Sequence, residues 1–209
     1  MVDAPERRFV SRGGDKLTVA LTAFDLAIPG RRALDAGCAT GGFTDVLLRS
    51  GAASVVAVDV GYGQFDWGLR NDARVQLHER TNVRALDLDL VGEPVSLIVA
   101  DLAFIDLRKV RAAFETVSTP DADAVLLVKP QFELPRERVP RGGVVREPAA
   151  WREALELVVA GYAPGWGLRD ACASTVVGPK GNREFFVWLQ RGADATDPAA
   201  LERAIAEAP

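Results

Sequence analysis

The chain has 209 residues, of which 48% are hydrophobic, and its formal net charge is −4. This composition allows one large domain with a sizeable core and excludes a disordered or fibrous protein, and the isolated Cys38, Cys172 and His78 predict neither a disulfide framework nor a metal site. No apolar run approaches the roughly 20 residues that span a bilayer, and the N-terminus has no apolar signal segment, so we expect a cytoplasmic protein without membrane contacts.

The sequence predicts helices that largely alternate with apolar strands. Residues 1–14 are expected to form a linker, after which Asp15 caps a helix that runs to Ala27. The remaining predicted elements are, in order, a strand, a glycine loop and a helix within 31–48, strand 54–59, helix 67–71, strand 74–78, strand 95–101, helix 106–117, strand 123–128, loop 134–147, helix 148–162, strand 168–177, strand 184–189 and helix 198–208. Loop 134–147 is rich in Pro, Gly and Arg without periodicity, and loops of this length are often functional.

The glycine loop after the first strand is a candidate ligand cradle. Gly37, Gly41 and Gly42 lack Cβ atoms, so a cofactor could lie directly on their peptide groups. Asp35 stands at the carboxyl end of the strand, where open α/β sheets bind their ligands. The spacing Gly-x-x-x-Gly-Gly is neither the dinucleotide fingerprint nor a P-loop, so diphosphate binding is disfavoured. A plain turn with glycines for geometry alone is the alternative.

Charged side chains also end several later strands. Asp59 follows the second strand, Asp101 the fourth and Lys129 the fifth, which places them at the same sheet edge as Asp35. Asn82 follows the third strand and is a candidate contact to a base, although a simple turn asparagine is equally consistent with the sequence.

Two of these segments resemble a known family. Leu-Asp-Ala-Gly-x-x-x-Gly-Gly-Phe-Thr and Val-Ala-Val-Asp are similar to the first two motifs of class I S-adenosylmethionine-dependent methyltransferases. The resemblance implies an α/β Rossmann-like fold with a seven-stranded, mostly parallel sheet and helices on both faces, and S-adenosylmethionine as the cofactor. The cofactor-binding residues that it implies are Asp35, Gly37, Cys38, Ala39, Thr40, Gly41, Gly42, Phe43, Asp59, Val60, Asn82 and Asp101.

A narrower resemblance rests on four distant residues. Lys16, Asp101, Lys129 and Glu184 resemble the Lys-Asp-Lys-Glu tetrad of FtsJ/RrmJ-type ribose 2′-O-methyltransferases. The segments Phe-Val-Ser-Arg-Gly-Gly-Asp-Lys-Leu, Ala-Asp-Leu-Ala-Phe-Ile, Leu-Val-Lys-Pro-Gln-Phe-Glu, Gly-Gly-Val-Val-Arg and Gly-Asn-Arg-Glu-Phe-Phe look like the TlyA family, often labelled haemolysin A. This resemblance covers residues 7–191 and implies 2′-O-methylation of cytidine in ribosomal RNA of the large and possibly the small subunit.

The resemblance also implies a role for each member of the tetrad. A ribose hydroxyl must lose its proton as it attacks a methyl group, and a protonated lysine cannot accept that proton. Lys129 is therefore expected to be the base or the stabiliser of the developing alkoxide. Asp101 is expected between Lys129 and the sulfonium, Lys16 to steer the ribose, and Glu184 to orient the lysines. The implied domains are a linker (1–14), an FtsJ-like methyltransferase domain (15–192) and a tail (193–209).

The expected partner is ribosomal RNA within ribosomal subunits. Family members normally begin with an S4-type RNA-binding domain, and without it this acidic chain is expected to bind RNA weakly. The candidate RNA-binding cations are Arg7, Arg8, Arg12, Arg136, Arg138, Arg141, Lys180 and Arg183. The alternative is that these residues are scattered solvated charges.

Three other functions are open to this sequence. They are a non-catalytic rRNA-binding or assembly factor, a membrane-active haemolysin, and a base or small-molecule methyltransferase. The last is disfavoured because the fourth strand ends in Asp101-Leu102-Ala103-Phe104 and not in a segment like Asn-Pro-Pro-Tyr.

Overall fold

Seven strands form one sheet in the computed structural model, which describes residues 8–178, 180–194, 197 and 199–208. The strands are β1 (Arg32–Ala36), β2 (Ser54–Val58), β3 (Val75–His78), β4 (Val95–Ala100), β5 (Ser118–Val128), β6 (Trp166–Ala173) and β7 (Phe185–Arg191). They lie in the order β3-β2-β1-β4-β5-β7-β6, and β7 alone runs in the direction opposite to the other six strands. The predicted seven-stranded, mostly parallel sheet is thus confirmed.

Eight α-helices connect or flank the strands in the described residues. They are α1 (Arg12–Phe24), α2 (Gly42–Arg49), α3 (Trp67–Arg70), α4 (Leu88–Val91), α5 (Arg111–Val117), α6 (Pro130–Glu133), α7 (Pro148–Tyr162) and α8 (Ala199–Ala206). Short 3₁₀ helices occupy Val83–Ala85, Leu107–Val110 and Arg136–Arg138. None of the helices in this part of the chain combines the length and the apolar character needed to cross a bilayer.

Alternating side chains of the strands build two cores, one on each face of the sheet. Leu34 of β1 packs in the core that contains α5, α7 and α8, whereas its neighbour Ala33 packs with α1, α2 and α3. The same alternation separates Ile98 from Leu97 in β4. Because both faces are covered, most residues of the central strands are apolar, as the sequence predicted.

The carboxyl ends of the parallel strands define the edge that holds the candidate site. Ala36 of β1 is in register with Val58 of β2 and Ala100 of β4. The backbone N–H of Gly37 donates to the Val58 carbonyl at 2.8 Å, and that of Asp101 donates to the Ala36 carbonyl at 3.0 Å. The carboxyl ends of the adjacent strands β2, β1 and β4 are therefore aligned, and the loops that follow them start side by side.

Helix α1 begins three residues before the predicted cap. Its N-cap is Ser11, Asp15 lies in the first turn, and the helix ends at Phe24, not at Ala27, because Asp25 adopts a left-handed conformation. A Cβ on Gly14 would lie 2.5 Å from the Phe9 ring, so this glycine packs the helix start against the chain before it. Residues 12–14 are thus helical and not a linker, whereas the division into linker, catalytic domain and tail stays a prediction.

Four further elements differ from the prediction. Strand β6 ends at Ala173 and not at Val177, because the Ser174 hydroxyl bonds to the backbone of Val176 and turns the chain out of the sheet. Strand β5 begins at Ser118, five residues early, and the helix predicted over 106–117 is a 3₁₀ turn followed by α5. For the helix predicted over 198–208, Pro198 lies outside the described residues, and α8 covers Ala199–Ala206.

Candidate active site

The glycine loop between β1 and α2 forms the floor of the site. Gly37 has φ +86°, and a Cβ there would lie 2.5 Å from the carbonyl oxygen of Asp101. Only glycine can therefore bring this loop so close to the chain that leaves β4. Gly41, with φ +93°, caps α2 and packs against Leu69.

Two adjoining cavities lie along this loop. The first, of about 250 Å³, is enclosed by the loop, the start of α1 and residues 176–177. The second, of about 350 Å³, is bounded by Asp59, Val60, Asn82 and Phe104. Gly37, Ala39 and Asp101 line both cavities, which therefore adjoin. All predicted cofactor-binding residues except Asp35 and Gly41 line one of them; the first also contains Cys38, Thr40, Gly42 and Phe43.

Asp59 is held with its carboxylate at the second cavity. Its Oδ2 accepts a hydrogen bond from the backbone N–H of Ala39 at 2.8 Å, and its Oδ1 accepts one from Gly61 at 2.6 Å. Each carboxylate oxygen can accept a further bond, so this acid can bind a pair of hydroxyl groups. This geometry suits the predicted place of Asp59 among the cofactor-binding residues.

Asp35 occupies a different place from the one predicted for a cofactor ligand. It is fully buried beneath the loop, where its Oδ2 accepts from the Thr44 hydroxyl at 2.6 Å and its Oδ1 has no partner. Burial raises the pKa of Asp35 to about 7. The side chain lines neither cavity. Its hydrogen bond to Thr44 instead holds the first turn of α2 against the end of β1.

Cys38 faces the first cavity but is almost fully buried. Burial raises the pKa of its thiol, so the thiol stays protonated and is a poor nucleophile. In the described ranges, no three His, Cys, Asp or Glu side chains lie close enough to hold a metal ion.

The predicted tetrad forms two ion pairs, of which the first joins β5 to β4. The ammonium of Lys129 donates to Oδ1 of Asp101 at 2.5 Å and to the carbonyl of Leu102 at 2.9 Å. Lys129 is only 8% exposed, and Asp101 lies where the first two cavities adjoin.

The second ion pair joins α1 to the residue before β7. Lys16 donates to Oε2 of Glu184 at 2.6 Å, and Glu184 is 3% exposed. Lys16 lines the first cavity, whereas Glu184 and Lys129 line a third cavity of about 540 Å³. Glu184 was expected to orient both lysines, and within the described residues its only ion pair is with Lys16.

An exposed aromatic ring stands between the second and third cavities. Phe104 is 90% exposed, has a positive φ of 61° and lines both. Its ring centroid lies 5.0 Å from that of Phe132, which also lines the third cavity. Sequence reasoning missed this pair, and the only signal was a phenylalanine three residues after a strand-ending acid.

Asn182 ties two loops around the third cavity. Its Oδ1 accepts from the Val145 N–H at 2.9 Å and its Nδ2 donates to the Gly143 carbonyl at 2.8 Å. The residue is 4% exposed, although it lies in a polar turn. It was also missed, because its role depends on a loop that is 37 positions away.

The predicted RNA-binding cations are spread over several surfaces. Arg12 lines the first cavity and Lys180 the third, whereas Arg138 is paired with Glu153 at 2.6 Å. Arg8 stacks on Phe9 in a separate groove beside α1. Arg136 lines a groove beside the third cavity, Arg141 and Arg183 line none of these cavities, and Arg7 lies outside the described residues.

Known proteins resemble this chain at several levels of similarity. Residues 9–191 match the family model of the FtsJ-like methyltransferases. The 16S/23S rRNA (cytidine-2′-O)-methyltransferase TlyA of Mycobacterium tuberculosis is 50% identical over 100% of this chain and 80% of its own length. The crystal structure of a protein from Lactococcus lactis, provisionally named a hemolysin, superimposes with a TM-score of 0.90 at 36% identity and covers 96% of this chain and 98% of its own.

A more distant structure shows the fold alone. An S-adenosylmethionine-dependent methyltransferase from Mesorhizobium loti has a TM-score of 0.59 at 15% identity, over 83% of this chain and 96% of its own. The fold is therefore that of the S-adenosylmethionine-dependent methyltransferases, as predicted. Because the family model spans most of the chain and the mycobacterial relative matches all of it, the chain belongs to the FtsJ-like methyltransferases and, among them, to the TlyA family.

Proposed function

We propose that this protein transfers a methyl group from S-adenosylmethionine to the 2′-hydroxyl of a cytidine in ribosomal RNA. The observation that carries the proposal is the partly buried Lys129–Asp101 ion pair, which stands where the first two cavities adjoin and borders the third. The 50% identical relative from M. tuberculosis, named for cytidine-2′-O-methylation of 16S and 23S rRNA, supports the choice of substrate.

The first two cavities fit the proposed cofactor. Gly37 leaves room where a Cβ would collide with Asp101, and the Asp59 carboxylate can accept hydrogen bonds from the two ribose hydroxyls. The loop from Gly37 to Phe43 and the start of α1 would enclose the methionine portion. When bound, S-adenosylmethionine supplies an electrophilic methyl group on its sulfonium.

Lys129 is positioned to act on the attacking oxygen. An ammonium has three N–H donors, and two of them are used by Asp101 and the Leu102 carbonyl. The third donor is left for an oxygen in the third cavity. We infer that Lys129 holds the 2′-oxygen and stabilises the negative charge that develops on it as the hydroxyl proton is released to water, while Asp101 keeps the lysine in place.

The third cavity is suited to a nucleotide. Its wall carries the exposed ring of Phe104 beside Phe132, and unstacked RNA bases are commonly recognised by stacking on such rings. Lys129 and Glu184 lie on the same wall. A base stacked on Phe104 would therefore bring its ribose toward the two ion pairs.

The test is methylation of ribosomal RNA by the wild type and by Lys129→Met, with mass-spectrometric mapping of 2′-O-methyl groups. We expect Lys129→Met to lower the rate by about 10²–10⁴-fold. Its affinity for S-adenosylhomocysteine, measured by calorimetry, should change little, because Lys129 lines neither of the first two cavities. A variant with unchanged rate, or a wild type that modifies a base atom, would refute the proposal.

A further inference from the structure

A groove of about 890 Å³ runs beside the third cavity and is named here the basic groove. It is lined by three exposed cations, Arg84, Lys109 and Arg136. Each lies on a different 3₁₀ helix, namely Val83–Ala85, Leu107–Val110 and Arg136–Arg138. The three cations thus come from distant parts of the chain and meet along one surface.

These cations are available to a ligand. Among the described residues, none of the three forms an ion pair with an acid. The remaining cation of the groove, Arg108, is bound by Asp106 through two hydrogen bonds, at 2.6 and 2.8 Å. That pair adds no net charge to the groove.

The second acid of the groove does not oppose an anion at neutral pH. Glu133 is 2% exposed and accepts hydrogen bonds from the backbone N–H of Leu107. Burial, together with the neighbouring Asp106, raises the pKa of Glu133 to about 8, so its carboxyl is mostly neutral at pH 7. The acids that line the groove therefore leave the positive charge of the three exposed cations uncompensated.

The basic groove joins the proposed substrate cavity through a common wall. Phe104, Gln131, Phe132 and Val139 line both. A polynucleotide whose target ribose lies at Lys129 must carry its neighbouring nucleotides away from that cavity. This wall leads them past two aromatic rings to three cations, which is the combination that binds single-stranded nucleic acid.

We propose that single-stranded RNA flanking the target nucleotide lies in the basic groove, where Arg84, Lys109 and Arg136 neutralise its phosphates. This inference rests on the proposed function and identifies the path of its substrate. It adds Arg84 and Lys109, which were not predicted to bind RNA, to the predicted Arg136.

The test compares two triple variants that lose the same charge. One is Arg84→Gln, Lys109→Gln, Arg136→Gln, and the control is Arg74→Gln, Arg169→Gln, Arg203→Gln, whose arginines are exposed and lie outside the three cavities and the groove. Binding of a short fluorescent single-stranded RNA with a central cytidine is measured over a series of salt concentrations, with S-adenosylhomocysteine present.

Each phosphate contact contributes about 0.7 to the slope of log affinity against log salt for single strands, so the groove variant should have a slope smaller by about two. The control should keep the wild-type slope. Equal slopes for the two triple variants would overturn the inference. The binding readout needs no turnover, so a wild type that binds with this salt dependence but does not methylate ribose would refute the proposed function alone.

Discussion

The ammonium of Lys129 lies 2.5 Å from Oδ1 of Asp101, a residue 28 positions earlier in the chain. The contact follows from the sheet, because Ala100 at the end of β4 is in register with Leu126 of β5. Lys129 is nearly buried, and removal of one member of a buried ion pair leaves the other charge without compensation. The two residues should therefore act as one unit.

A double-mutant cycle tests this unit. Lys129→Met and Asp101→Asn should each lower kcat by about 10²–10⁴-fold, and the double variant should be no slower than the slower single variant. Rates are measured under single-turnover conditions on ribosomal RNA. The exposed pair Arg74–Asp72 provides the control, because surface ion pairs contribute only about 0–1 kcal/mol to stability and this one is remote from the cavities. Losses that multiply in the Lys129–Asp101 cycle would contradict the prediction.

The backbone of the glycine loop gives a second prediction. Gly37→Ala should weaken binding of S-adenosylhomocysteine by at least about tenfold, because the new Cβ would lie 2.5 Å from the Asp101 carbonyl and displace the loop. The control is Gly30→Ala, where φ is also positive (+78°) but nothing lies within 4 Å of the added atom. Both variants carry backbone strain, so only the difference between their affinities in calorimetry reports the collision. Equal affinities would show that the loop does not depend on this contact.

The sequence predicted the sheet and its charged edge because apolar runs mark buried strands, and parallel strands present their carboxyl ends together. Asp59, Asp101 and Lys129 could be placed in this way, and an ion pair between Lys16 and Glu184 joins the first and last members of the tetrad. The sequence could not show that Asp35 lies beneath the loop. A buried aspartate and a cofactor-binding aspartate would both follow the apolar residues of the first strand and precede the glycine loop.

Other features arise only from tertiary contacts. The Phe104–Phe132 pair and the three 3₁₀ cations join segments whose spacing follows no helical or strand period. Local sequence carries little information about such contacts, so they were found only in the structure.

Asn182 gives a third prediction. Asn182→Ala removes two hydrogen bonds to loop 143–145 and leaves the buried N–H of Val145 and the partly buried carbonyl of Gly143 without partners, so it should destabilise the fold by about 2–4 kcal/mol. The loosened loop borders the third cavity, so KM for RNA should rise more than Kd for S-adenosylhomocysteine. Urea unfolding and steady-state kinetics measure the two effects. Asn71→Ala is the control, since Asn71 is exposed, and a similar loss in both variants would contradict the role of Asn182.

The buried carboxyl of Glu133 makes stability depend on pH. Its pKa is raised from 4.5 to about 8 by burial first and by Asp106 second. Between these values the folded state holds a proton that the unfolded state releases, so this group's stabilising contribution is present below pH 4.5 and is lost as the pH rises toward 8. Arg108, which also faces the carboxyl, favours its ionised form and limits the shift.

Glu133→Gln keeps the shape of the neutral carboxyl and removes its titration. The free energy of unfolding of the variant should therefore rise relative to that of the wild type between about pH 5 and 8, by up to about 1.4 kcal/mol per pH unit, and the difference should level off above pH 8. Asp35 titrates in both proteins and cancels in the comparison. Urea unfolding at several pH values measures the difference, with the exposed Glu137→Gln as the control. A difference that stays constant with pH would mean that Glu133 is ionised in the folded protein and that it does oppose anions in the basic groove.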